Sequence, residues 1–99
     1  MLNREDILNF LGEHKASFHN EFQIVKLGLF GSFALNRQSE VSDIDLLVEF
    51  APNTEDLTEK KESIRSILKR KFNREVDICR EKYIKPYFKD QILNSAIYV

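Results

Sequence analysis

Apolar positions recur along this chain with two different periods, and each switch of period marks a new element. From Arg4 the spacing is helical: Ile7, Leu8, Leu11 and Phe18 fall on one stripe, Asn3 stands where an N-cap belongs, and Glu5 and Asp6 occupy the first turn. At Ile24 the period drops to two. Val25, Leu27 and Leu29 share one face with Gly28 on the other, which predicts a strand that runs to Phe30 and is ended by Gly31. A short helix is expected over Ser32 to Asn36, and the polar segment Arg37 to Ser42 reads as a loop. The second strand is entered at Ser42-Asp43 and runs to Phe50, so that its first residues carry the carboxylates of Asp43 and Asp45.

Pro52-Asn53-Thr54 breaks the pattern, and Thr54 or Asn53 is expected to cap a helix with Leu57, Ile64, Ile67, Leu68 and Phe72 on its apolar side. Lys69, Arg70 and Lys71 in its last turn suit the negative end of the helix dipole and otherwise read as a solvated helix end. After the turn Asn73-Arg74, a third strand is predicted from Glu75 to Cys79, with Asp77 on the opposite face from Val76 and Ile78. Pro86 opens a final helix, with Phe88, Ile92, Leu93 and Ala96 expected inward. The fold class is therefore α/β in the broad sense (α+β): a small mixed sheet with packed helices.

With 99 residues, the chain is expected to form a single domain over residues 1–99, with a core just large enough to fold alone. Its 15 basic and 16 acidic residues balance, so no overall attraction to a polyanion arises. A lone cysteine, Cys79, and no charged-then-apolar leader point to the cytoplasm. No apolar stretch approaches the roughly 20 residues of a membrane span. Cys79 is expected to be a buried thiol, His14 and His19 surface residues, and Tyr83, Tyr87 and Tyr98 half-buried with wet hydroxyls.

The chemistry lies in the spacing of a Gly-Ser pair and three aspartates. In a strand, residues i and i+2 point the same way, so Asp43 and Asp45 can meet the same metal ions. Gly31 permits turn angles and close backbone approach that other residues resist, and Ser32 can offer an amide and a hydroxyl to a phosphate at the start of the short helix. An Asp-x-Asp at a strand entrance is often no more than a solvated turn, and Asp77 alone could be an outward-facing strand residue. Together with the upstream pair, they argue for nucleotide chemistry.

Gly31-Ser32 followed by Asp43-Ile44-Asp45 resembles the signature of the nucleotidyltransferase superfamily that includes the catalytic core of polymerase beta. Within it, the chain resembles the minimal nucleotidyltransferases of the antitoxin type encoded beside HEPN-domain proteins. That resemblance implies a palm-like core. It also implies ATP as nucleotide and Mg2+, with two ions, held by Asp43, Asp45 and Asp77, the last also drawing a proton from the attacking hydroxyl. Gly31 and Ser32 would bind the triphosphate, with Arg37 as a further contact. The implied partner is a HEPN-type toxin modified on a tyrosine by AMP. No long nucleic-acid substrate is expected, because members acting on such substrates generally append further domains.

The chain departs from the family just after the serine. Many members have Ala-Arg-Gly where this chain reads Ala34-Leu35-Asn36, and its nearest basic residue is Arg37. A second reading therefore stays open: an inactive antitoxin, or binding module, acting by contact alone through its helix faces and the tail Ile97-Tyr98-Val99. A nucleotidyltransferase acting on an aminoglycoside or a tRNA end is a third reading, weakened by the absence of further substrate-binding structure. Aromatic residues near the end are also compatible with an oligomer.

Overall fold

The computed structural model describes residues 1–99. The elements are α1 (Arg4–Phe22), β1 (Ile24–Phe30), α2 (Gly31–Ala34), β2 (Ile44–Phe50), α3 (Leu57–Phe72), β3 (Val76–Cys79), a 3-10 turn (Glu81–Tyr83), α4 (Pro86–Ser95) and β4 (Ile97–Tyr98). The strands form one mixed sheet in the order β3-β2-β1-β4. β1 is antiparallel to β2 and to β4, and β3 is parallel to β2, the parallel pair being joined through α3 as a crossover requires.

α1 starts where its polar cap dictates. The Asp6 N–H donates to Asn3 Oδ1 at 2.9 Å and the Asn3 N–H donates to Asp6 Oδ2 at 3.1 Å, a reciprocal capping box. The helix ends at Gln23, whose φ of 58° reverses the chain into β1. Its buried side is Ile7, Phe10, Leu11 and Phe18. His14 is half-buried, stacked on Phe10 with ring centroids 4.0 Å apart, whereas the exposed His19 lies at the surface as expected.

Alternation along the strands gives the sheet two unlike faces. Leu27, Leu29, Ile44, Leu46, Val48, Val76 and Ile78 share one core cluster with Ile7 and Leu11 of α1 and Ile64 and Leu68 of α3. Asp45, Glu49 and Asp77 alternate out of that core. Leu47, between Asp45 and Glu49, is buried but stands outside the cluster.

Several expectations are corrected. A β-bulge between Ile24 and Lys26 shifts the parity of β1, so Ile24 is buried and Val25 is 52% exposed. The short helix is a single turn that begins at Gly31 and ends at Ala34. α3 is capped by Asp56, in the left-handed region at φ 58°, while the Thr54 hydroxyl donates to the Ala51 carbonyl at 2.6 Å within the preceding turn. α4 buries no residue, and Phe88 is 53% exposed because no further element covers its outer side. Tyr83 and Tyr87 are exposed as well, and Cys79 is half-buried.

The tail Ile97-Tyr98-Val99 is part of the sheet. Ile97 and Val99 pack on the core, and the Val99 N–H donates to the Leu27 carbonyl at 3.0 Å. Tyr98 covers Gly28 so closely that an added Cβ there would lie 2.7 Å from the ring. The Tyr98 hydroxyl donates to Glu81 Oε1 at 2.7 Å, and the Lys26 ammonium reaches the same oxygen at 2.7 Å. Those hydrogen bonds hold the Glu81 carboxyl below its usual range, while burial and then Glu81 hold the Tyr98 phenol well above its own.

The two faces predict different tolerances. Leu46→Ala, at a fully buried position of the central strand, is expected to cost about 2–5 kcal/mol in urea unfolding. Tyr87→Ala is expected to change stability by less than about 0.5 kcal/mol in the same measurement.

Candidate active site

The site grows from the end of β1, where an apolar strand meets a residue without a side chain. Gly31 has φ +74°, a conformation that suits glycine, and a Cβ built there would run into the Asp45 carboxylate. The register explains this contact. Phe30 pairs with Asp45 across the antiparallel ladder, so the residue that leaves β1 folds back over the second residue of β2. The glycine is thus required by Asp45 as well as by the bend, a reason the sequence alone did not supply.

On the other side of β2, Asp45 pairs with Asp77 in the parallel register. Val76 and Ile78 are buried and Asp77 is exposed, which puts the Asp77 and Asp45 carboxylates side by side on the face away from α1 and α3. Asp43 is not in the strand. It stands exposed one residue before β2, where its charge still acts on Asp45. Burial, then Asp77, then Asp43 raise the Asp45 carboxyl to about 6. Burial, then Asp77 and Asp45, push the Cys79 thiol up against a smaller opposing pull from Lys61.

Glu49, two pairs further along the same face as Asp45, is treated differently. Its carboxylate accepts from Arg80 Nε at 3.2 Å and from the Glu81 N–H at 3.0 Å. No ion pair reaches Asp43, Asp45 or Asp77. Three carboxylates without a basic partner, one of them resisting ionisation, form a site whose missing counter-charge suits a hard divalent cation with oxygen ligands. No group of three or more His, Cys, Asp or Glu side chains is arranged to hold a metal ion by itself. Magnesium needs none, since it is usually bound by one or two carboxylates and completes its shell with water and phosphate.

The remaining predicted residues divide. Gly31 and Ser32 begin α2, so their amides have no partner within the helix, and both residues are half-buried. A four-residue helix supplies little dipole, which leaves the amides and the Ser32 hydroxyl as the donors available to an anion. Arg37 is exposed and forms no ion pair; only its N–H is engaged, donating to the Ser32 carbonyl at 2.8 Å. Asn36 has φ +59°, a left-handed conformation that asparagine adopts more readily than most residues with a side chain. Leu35, where the resemblance led to an expected arginine, is exposed.

Two arginines unnoticed in the sequence frame the site. Arg4 donates to the Ala34 carbonyl at the end of α2 at 3.2 Å, and Arg74 donates to the Ser39 and Ser42 carbonyls at 3.1 and 2.9 Å. Neither contact has a signature in sequence, since each joins residues about thirty positions apart through a backbone carbonyl. A cavity of about 470 Å3 lies elsewhere, lined by α1 and the start of β1, and includes none of the predicted site residues.

Comparison with known proteins adds a lineage to this geometry. The nucleotidyltransferase domain family matches residues 11–99. The chain belongs to that family. A Methanocaldococcus jannaschii protein named "Putative protein adenylyltransferase MJ0435" is 40% identical over 76 residues, covering 75% of this chain and 77% of that protein. The protein adenylyltransferase MntA of Thermococcus cleftensis is 29% identical over 101 residues, covering 100% and 98%. Among solved structures, one described as a "putative minimal nucleotidyltransferase" superposes with a TM-score of 0.75 at 28% identity, covering 97% of this chain and 95% of that one. A toxin-antitoxin crystal structure with AMP-PNP shares the fold, with a TM-score of 0.65 at 21% identity over 98% of this chain and 72% of that one. The palm-like core expected for this nucleotidyltransferase is therefore present.

Two outcomes follow from the packing around Asp45. Gly31→Ala is expected to cost about 2–4 kcal/mol in urea unfolding, from left-handed strain plus displacement of the Asp45 carboxylate. The second concerns pH. The folded state holds the Asp45 proton up to about 6, above the ordinary aspartate value, so folding binds more protons between these values and stability falls as pH rises through them. In metal-free melts, the stability gained by Asp45→Asn should grow from about pH 4 to about pH 6 and then level. A constant difference across that window would contradict the assignment.

Proposed function

We propose that the chain is a magnesium-dependent protein adenylyltransferase, one domain over residues 1–99, that moves AMP from ATP to a tyrosine hydroxyl of a HEPN-type toxin and thereby acts as its antitoxin. The observation that carries this reading is the pairing of Asp45 with Asp77, with Asp43 at the strand mouth and Gly31 folded against Asp45. The names of its relatives and the fold shared with a toxin-antitoxin structure support the same reading. A cytoplasmic location belongs to it, and no helix of the chain is long and apolar enough to cross a membrane.

Nucleotidyltransferases generally use divalent metals, and two magnesium ions bound here would neutralise charge at both the attacking and the leaving oxygen. Asp43, Asp45 and Asp77 are the residues that would hold them. The Gly31 and Ser32 amides and the Ser32 hydroxyl donate to the β- and γ-phosphates, and Arg37 adds positive charge from the loop. Asp77, exposed at the start of β3, takes the proton of the acceptor hydroxyl. The acceptor oxygen bonds to the α-phosphorus, the bond from that phosphorus to its bridging oxygen breaks, and pyrophosphate departs with the electron pair. Because Asp77 is open to solvent, a side chain presented on the surface of a protein can approach it.

One observation favours the contact-only antitoxin. Leu35 places an exposed apolar side chain where the resemblance led to an expected arginine, and Arg37 makes no contact with the aspartates. In that reading the exposed aromatic residues Tyr83, Tyr87 and Phe88, rather than the paired tail, would form the contact surface.

Purified chain, its natural partner, magnesium and α-labelled ATP decide between them, with γ-labelled ATP as control. Adenylyl transfer predicts label on the partner from the α-phosphate alone, reduced by at least about a hundredfold in Asp43→Asn and Asp45→Asn, as expected when ligands of a catalytic metal are removed. Neutralisation of the toxin by an equal concentration of this chain with no label transferred, unchanged in Asp43→Asn, would establish the contact-only antitoxin instead.

A further inference from the structure

Asp43 lies outside the β-ladder, yet its backbone is held on both sides. The preceding turn closes on itself: the Ser39 N–H donates to Ser42 Oγ at 2.8 Å, the Ser42 N–H donates to the Ser39 carbonyl at 3.3 Å, and the Val41 N–H donates to Ser39 Oγ at 3.3 Å. These bonds shape the turn without attaching it to the sheet. Arg74, two residues before β3, makes the attachment. Its Nη1 donates to the Ser39 carbonyl at 3.1 Å and to the Ser42 carbonyl at 2.9 Å. Its guanidinium carbon lies 5.6 Å from the ring centroid of Phe33, a fully buried residue of α2. Just beyond Asp43, the Ile44 N–H donates to the Glu75 carbonyl at 2.9 Å.

Arg74 therefore touches the turn that delivers Asp43 and the helix that begins at Gly31, from the segment that delivers Asp77. It pairs with no carboxylate, so its hydrogen bonds go to backbone carbonyls and leave the aspartates unengaged. A planar guanidinium can lie on a ring and bond two carbonyls at once, which an ammonium does poorly. We infer that Arg74 is a positioning residue, fixing Asp43 relative to Asp45 and Asp77 for binding of a divalent cation. This inference rests on the reading of those aspartates as the metal-holding group.

Mn2+ binding to the purified full-length chain, read by electron paramagnetic resonance without nucleotide or partner, tests it. Residues that orient a metal's ligands typically change affinity by 10–100-fold, so Arg74→Ala is expected to weaken Mn2+ binding at least about tenfold. Arg74→Lys, which keeps charge and bulk and serves if the alanine variant does not fold, is expected to weaken it as well. The deciding measurement is the pair with Asp43→Asn. If Arg74 acts through Asp43, adding Arg74→Ala or Arg74→Lys to Asp43→Asn should cause little further loss. Wild-type affinity in a folded Arg74 variant, or losses that add in full, would overturn the positioning role. Mn2+ affinity unaffected by Asp43→Asn or Asp45→Asn would instead sink the metal reading, and the positioning role with it.

Discussion

The antiparallel register that sets Phe30 opposite Asp45 is the constraint from which the rest of the site follows. Because side chains alternate along a strand, this register sends Ile44, Leu46 and Val48 into the core and Asp45 to the other face; a slip of one residue would exchange them. It also brings the chain leaving β1 over Asp45, where only a residue without Cβ fits. The parallel register of β3 then adds Asp77 to the same row. Core packing and site geometry are therefore one choice. The apolar residues that α1 and α3 bury select the register, and the register assembles the acidic group.

The acidic group has a cost in the free protein. Desolvation and two like charges oppose ionisation of Asp45, and no arginine or lysine pairs with any of the three aspartates. Glu49, on the same face, shows that the fold can supply a partner when charge is merely to be accommodated. The contrast separates a carboxylate held in a structural ion pair from three that have no basic partner.

Much of this was legible in sequence. The helices and three main strands, and the opposed directions of Asp77 and its apolar neighbours, followed from periodicity, and the nucleotidyltransferase lineage from the resemblance that one spaced motif carries. What escaped has physical causes. β4 is two residues long and has no period to detect. The bulge at Val25 reverses a parity that the letters present as regular. Asp56 caps α3 from a left-handed conformation without the side-chain bond on which capping patterns depend. Asp43 reads as strand because it continues the alternation, but the ladder begins at Ile44. The grip of Arg74 on two carbonyls leaves no trace in any local pattern.

The separation of the sheet into two faces has a bearing on descent. The aspartates contribute nothing to the apolar cluster, and Asp45 opposes folding when ionised without a cation. Substitutions at these aspartates are therefore expected to leave the scaffold standing, and Asp45→Asn to make it firmer. A lineage built on this sheet can drift from enzyme to inert partner without passing through an unfolded ancestor, so a well-formed fold records shared ancestry more faithfully than retained chemistry.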